Sequence, residues 1–196
     1  MEQTSQPLLK LSGSPYEIGL KHGQEAKQKI INSLETYEKM FVEYAALTWD
    51  EAIEKAKLHI NAIENYNERY LEEMDGVAKG AGVTFEDILA LNARSEIALT
   101  NAPDGCTSFA LTKPKTDYTW LAQNWDWRGS QIDSLVYVQI EQKNLPTITM
   151  VTEAGIIGKI GCNSAGIGVC LNAIVSNTWE PKVPIHLGLR AILESE

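Results

Sequence analysis

The feature that most constrains this chain is a change of hydrophobic period at Cys106. Ahead of it, apolar residues fall three and four apart. Ile30, Leu34, Tyr37, Phe41 and Tyr44 form one row, and Ile53, Ala56, Ile60 and Ile63 a second. Such spacing lines side chains along one helix face. Beyond Cys106 the sequence breaks into short runs rich in β-branched, aromatic and aliphatic residues, separated by Pro, Gly, Asp or Asn. These read as strands and turns. A helical first half followed by a strand-rich second half predicts an α+β fold.

Local signals place the elements. Residues 8–11 read as a strand, and Ser14-Pro15-Tyr16-Glu17 supplies an N-cap, a first-turn proline and the glutamate of a capping box. A helix starting there carries the first apolar row. Thr48-Trp49-Asp50-Glu51 repeats the pattern ahead of a second helix bearing the second row. A third helix runs through Tyr70, Met74 and Val77 until Gly80 and Gly82 stop it, and Thr84 caps a fourth with Ile88, Leu89 and Leu91. Residues 107–111, 120–124, 135–141, 147–151, 159–162 and 168–172 then form an antiparallel meander, and Pro184 opens a final amphipathic helix. No repeat or linker divides the chain, so one structural domain is expected.

With 196 residues and 44% hydrophobic content the chain can bury a core. Its net charge of −9, with 17 acidic against 10 basic residues in positions 1–100, argues against nucleic acid as a partner. No apolar run approaches the ~20 residues that span a bilayer, so no membrane partner is expected. The three cysteines, Cys106, Cys162 and Cys170, are an odd number without zinc spacing, and the first six residues lack signal-peptide character. A cytoplasmic setting follows as the expectation. His22, His59 and His186 have no partner at metal spacing and read as surface or packing residues, so no metal is expected. Cys162 and Cys170 read as core residues, and Asn163 as a hairpin residue.

The chemistry concentrates at residues 101–109, Asn-Ala-Pro-Asp-Gly-Cys-Thr-Ser-Phe. Cys106 stands at the mouth of a predicted strand, after a glycine, twenty residues ahead of the polar cluster Gln123-Asn124-Trp125-Asp126-Trp127-Arg128. That placement suits a nucleophile exposed by cutting its own chain. Taken alone, such a cysteine is more often a small hydrophobe opening a strand.

Four ordered motifs carry a resemblance. They are Asp-Gly-Cys-Thr at 104–107, Gln-Asn-Trp-Asp at 123–126, Gly-Lys-Ile-Gly-Cys-Asn-Ser-Ala-Gly at 158–166 and Gly-Val-Cys-Leu-Asn-Ala at 168–173. Together with Gly13–Gly19, His22-Gly23 and the stretch 91–96, they resemble the acyl-coenzyme A:isopenicillin N acyltransferase family, also classed as peptidase family C45. The resemblance implies the N-terminal nucleophile hydrolase fold, an αββα sandwich, of which this chain holds a part. Residues 1–105 would be a helical pro-region and residues 106–196 the start of the nucleophile-bearing subunit.

The resemblance also implies roles. The Cys106 thiol would attack the Gly105 carbonyl, cut the chain there, and afterwards carry an acyl group taken from a small-molecule amide or thioester. The freed α-amine titrates near ~7.7–8.0 and a thiol near ~8.5, so the amine can take the thiol's proton at neutral pH. Asp126 would orient the new ammonium, although a turn residue is its plain alternative. Asn172 is similar to the oxyanion asparagine of choloylglycine hydrolases, and a strand-ending turn fits it equally well. Asn124, Trp125 and Thr107 are expected on the substrate side, although an aromatic in a strand, as Trp125 is, is more often plain core. No bound cofactor is implied, acyl-coenzyme A entering as a substrate. Family members continue beyond residue 196, so the expectation is a C-terminally truncated chain, partnered by a missing C-terminal subunit or by a second copy. A catalytically incompetent fragment, serving as a binding or structural module, is the alternative.

Overall fold

A computed structural model describes residues 7–98, 105–173 and 180–196. Strand β1 (Leu8–Ser12) leads into helix α1 (Pro15–Glu25). The predicted capping box is formed: Glu17 N–H donates to the Ser14 hydroxyl, and Ser14 N–H donates to the Glu17 carboxylate at 2.8 Å. The apolar row beyond it belongs to a separate helix, α2 (Lys27–Ala45), because the chain bends at Ala26 (φ −109°, ψ 14°). That bend lets α1 lie along a later helix while α2 crosses to the strand-rich half. The second predicted helix is likewise interrupted, at Leu58 and His59, into α3 (Trp49–Lys57) and α4 (Ile60–Asn67).

Helix α5 (Arg69–Ala81) ends at Gly82 in the left-handed region, φ +74°. Gly80 does not stop it. It lies inside α5 and packs on α1: a Cβ there would come within 2.2 Å of the Leu20 carbonyl oxygen, and one at Gly19 within 1.9 Å of Glu73 O. Gly19 and Gly23 on α1, with Gly76 and Gly80 on α5, stand one turn apart and clear the surface along which the two backbones touch. Helices α6 (Phe85–Asn92), capped by Thr84, and α7 (Arg94–Ala98) complete the helical half.

The strands fall into two sheets. β2 (Thr107–Leu111) and β3 (Trp120–Asn124) pair only with each other, as an antiparallel hairpin. β4 (Leu135–Glu141), β5 (Ile148–Glu153), β6 (Ile160–Asn163) and β7 (Gly168–Val169) form the meander, which β1 joins in parallel beside β4, giving the order β1-β4-β5-β6-β7. The single meander expected from sequence is thus divided. The link from β3 to β4 contains a 3-10 turn, Gly129–Ser134, and is too long for a tight hairpin.

One face of the five-stranded sheet turns Val136, Val138, Ile140, Ile148 and Met150 into a core shared with Leu11, Ile18, Ile30, Met74 and Leu89. The other face turns Val151 and Ile160 toward Leu121 of the hairpin, across an open groove of about 700 Å³. The layers are helices, sheet, hairpin, and the fold is α+β. Helix α8 (Ile185–Leu193), opened by Pro184 as predicted, closes the β6–β7 side. Its fully buried Arg190 forks onto Glu73 of α5 at 3.0 and 2.8 Å and donates to Ile157 O at 2.7 Å. Among the described residues no helix is long and apolar enough to cross a membrane, and no group of three His, Cys, Asp or Glu could hold a metal ion.

Of the surface or packing roles expected for the histidines, packing is the one observed: His22, His59 and His186 are all buried, with backbone partners far along the chain. One expectation needs correction. Cys162 is exposed and Cys170 half-buried, since both lie where β6 and β7 border the open groove. Asn163 is the turn residue expected, its carboxamide oxygen accepting from Ala165 and Ile167 N–H at 3.0 and 2.9 Å.

Candidate active site

The hairpin register builds the site. Thr107 pairs with Asn124, so two further places bring Gly105 opposite Asp126 and Cys106 opposite Trp125. The packing agrees. A Cβ at Gly105 would lie 2.4 Å from Asp126 Oδ2, so only glycine leaves the carboxylate room beside the junction. Cys106 is half-buried, with Sγ 4.0 Å from the Asp126 carbonyl oxygen. Residues 101–104 of the motif ahead of it lie outside the described residues.

Asn172 comes to the same junction from the far side of the groove, its Nδ2 donating to Cys106 O at 3.0 Å. It lies past the end of β7, and Gln123 holds it in place. The Gln123 carboxamide accepts from Leu171 N–H at 2.9 Å and donates to Leu171 O, a two-point clamp on the preceding residue. The structure therefore brings Gly105, Cys106, Asp126 and Asn172 together. Trp125 lines the cavity beside Cys106, whereas Asn124 and Thr107 pair with each other on the exposed hairpin.

That cavity, about 30 Å³, is lined by Cys106, Trp125, Trp127, Arg94 and Lys159. It has room for one or two waters but not for an acyl chain. Behind it, Glu153 at the end of β5 is completely buried. It accepts from Arg94 Nη2 at 2.9 Å and, at closer range, from Lys159 Nζ and the Tyr37 hydroxyl. Trp127 Nε1 donates to Tyr37 Oη at 3.0 Å. The Lys159 ammonium sits 3.6 Å from the centroid of the Trp125 ring, and the Arg94 guanidinium 5.0 Å from that of Tyr37.

These contacts set the charges. Burial would raise the Glu153 pKa, but Arg94 and Lys159 outweigh it and hold the carboxyl at about 2. For Lys159 burial wins over Glu153 and lowers the ammonium to about 7. His186 is pushed well below its usual value, first by burial and then by Arg94 and Lys159. Its Nδ1 faces Gly158 O at 3.0 Å and so carries the proton, leaving Nε2 to accept from the Ser95 hydroxyl at 3.3 Å.

Arg94, Glu153, Lys159 and Tyr37 were not marked as site residues from the sequence. Two of them stand in motifs already quoted, Arg94 in 91–96 and Lys159 in 158–166. A lysine between glycine and isoleucine at the mouth of a predicted strand was the available signal, since lysine is rarely buried without a partner.

A sequence model of the family described as acyl-coenzyme A:6-aminopenicillanic acid acyl-transferase matches residues 112–196. That stretch includes Asp126, Lys159 and Asn172 but not Cys106. A curated relative, the acyl-coenzyme A:6-aminopenicillanic-acid-acyltransferase 40 kDa form of Emericella nidulans, is 38% identical over 186 residues, which is 93% of this chain and 52% of the relative. The chain thus spans about half the length of the relative it matches.

Proposed function

This chain belongs to the acyl-coenzyme A:6-aminopenicillanic acid acyl-transferase family, and we propose that it is the nucleophile-bearing part of an acyl-transfer enzyme working through a thioester on Cys106. We read its layers as part of the αββα N-terminal nucleophile hydrolase sandwich, with residues 1–105 as the segment released from the nucleophile. The observation that carries the proposal is the convergence of Asp126 and Asn172 on the Gly105–Cys106 junction from two separate elements. A cysteine that merely opens a strand needs neither.

In the first event the Cys106 thiolate attacks the Gly105 carbonyl carbon. The C–N bond breaks, the Cys106 nitrogen takes a proton, and water resolves the resulting thioester. The freed α-amine stays opposite Asp126, whose carboxylate favours and orients the ammonium form. In turnover the same sulfur attacks the acyl carbon of a substrate, the leaving thiol or amine takes a proton, and the acyl group passes to an acceptor. Asn172, released from Cys106 O, is placed to donate to the oxyanion. The relative's name pairs acyl-coenzyme A with 6-aminopenicillanic acid. For this chain we carry over the reaction class alone: an acyl thioester or amide as donor and an amine as acceptor, with water as the competing acceptor.

Intact mass spectrometry of the wild-type chain beside Cys106→Ser and Cys106→Ala tests this. The expected result is two wild-type fragments divided between residues 105 and 106, a whole chain for the alanine variant, and an acyl adduct on Cys106 after incubation with a short acyl thioester. A wild-type chain that stays at 21.7 kDa and takes no adduct would overturn the enzyme reading and leave a binding or structural module.

A further inference from the structure

Until the Gly105–Cys106 bond is cut, the α-amine that would later accept the thiol's proton is locked in a peptide and has no lone pair to offer. The first deprotonation needs another acceptor. Resting on the self-cleavage reading above, we infer that Lys159 takes the Cys106 proton in the uncut chain, and that Glu153 and Trp125 hold Lys159 in position to do so.

The placement comes first. Lys159 and Cys106 line the same small cavity, which has room for a relaying water, and a Cys106 thiolate favours the Lys159 ammonium. Lys159 is buried, tied at its ammonium to Glu153 and seated on the Trp125 ring. Trp125 is also the residue opposite Cys106 in the extended hairpin register.

Charge balance comes second. Among the ionisable groups acting on Lys159 are Glu153, Arg94, Cys106 and His186. His186 is held neutral by burial, and the Tyr37 hydroxyl on the same carboxylate is pushed well above its usual value, first by burial. Glu96, which acts on Arg94, is raised toward its neutral form by burial. Within the buried cluster Arg94 and Glu153 cancel, leaving the lysine and the thiol, with the exposed Asp126 carboxylate outside it on the solvent side of the junction. Neutral amine with thiol and ammonium with thiolate both sum to zero, so the proton can pass between them without leaving an unbalanced charge in the buried site. Burial has also brought the ammonium to about 7, within reach of an ordinary thiol.

The step balances within the chain. The Lys159 amine takes the Sγ proton, and the sulfur bonds to the Gly105 carbonyl carbon. The C–N electron pair goes to the Cys106 nitrogen, which takes the proton back from Lys159. Thioester and α-amine result, and the lysine ends as it began.

The test uses the full chain carrying Cys162→Ser and Cys170→Ser, so that Cys106 is its single thiol. Lys159→Arg keeps the cation but cannot accept a proton at neutral pH. It is expected to slow self-cleavage ~10²–10⁴-fold while iodoacetamide alkylation of Cys106 keeps the parent's pH profile. Lys159→Gln is expected to slow cleavage as much and to move the alkylation profile to higher pH. In ¹³C-lysine NMR, Cys106→Ala should lower the titration midpoint of Lys159, because the thiolate that favoured its ammonium is gone. Parental cleavage rates in Lys159→Arg would overturn the inference. So would a Lys159 titration indifferent to Cys106→Ala, and this arm decides the matter if the lysine variants do not fold by circular dichroism. A parent chain that never cleaves would sink the self-cleavage reading, and the NMR arm would still report whether lysine and thiol share a proton.

Discussion

The β2–β3 hairpin and the body against which it lies are built on opposite terms. In the body, buried charges are matched by partners from other elements: Glu153 by Arg94 of α7 and by Lys159, Arg190 of α8 by Glu73 of α5. In the hairpin, every residue of β2 is exposed, and Phe109 and Trp120 stand 54% and 59% accessible. The body is fixed by packing and by groups that must remain paired. The hairpin is positioned by a few polar contacts at its end, the Gln123 clamp on Leu171 and the Asn172 bond to Cys106 O. The Gly105–Cys106 junction lies where the two meet, and so a thiol at the mouth of a lightly anchored strand faces a paired charge cluster.

Four substitutions would break or sharpen that contrast. The largest effect on stability is expected from Glu153→Ala, which leaves the Arg94 and Lys159 cations buried without their carboxylate. Urea unfolding should show a loss of about 3–5 kcal/mol, and a loss below 1 kcal/mol would mean that the cluster is solvated and the contrast false. Asn172→Ala should leave the urea midpoint in place but lower the acyl-transfer rate ~10²–10³-fold in single-turnover assays, because a donor aimed at the oxyanion is gone. Gly80→Ala presses a methyl on the α1 backbone at Leu20 and should lower stability by about 1–3 kcal/mol, with a thermal melt as the readout. Trp120→Ser on the hairpin should change stability by no more than about 0.5 kcal/mol. A large loss there would show that the exposed hairpin face is covered in solution.

Legibility from sequence followed the same division, though not by region. Capping boxes at Ser14 and Thr48, the cap at Thr84, the glycine stop at Gly82 and the strands at 107–111, 120–124 and 135–141 were readable because each depends on neighbours within a few residues. The breaks at Ala26 and at Leu58–His59 were not, because apolar spacing continues across them and only packing between helices bends the chain there. Gly80 was misread as a stop since a glycine that ends a helix and one that admits a neighbouring backbone look alike in one dimension.

The candidate site divides in the same way. Cys106 and Asp126 could be named from their motifs, and the hairpin register that joins them follows from two short strands and their pairing. Asn172 could be named as a candidate, but its contact with Cys106 O depends on β7 being carried past the hairpin and clamped by Gln123, a residue 48 positions away.

What the sequence by itself determined, then, is the class of fold, the order and most of the ends of its elements, and the candidate thiol. All of these rest on local backbone preference, side-chain period and short motifs. Only the tertiary structure decided that the strands divide into two sheets, that three histidines are buried, and that Arg94, Glu153 and Lys159 gather behind Cys106. The physical reason is that burial and charge pairing belong to no single residue. A lysine at position 159 is an ordinary surface cation until the fold removes its water and supplies a carboxylate, an indole ring and a thiol from three other places in the chain.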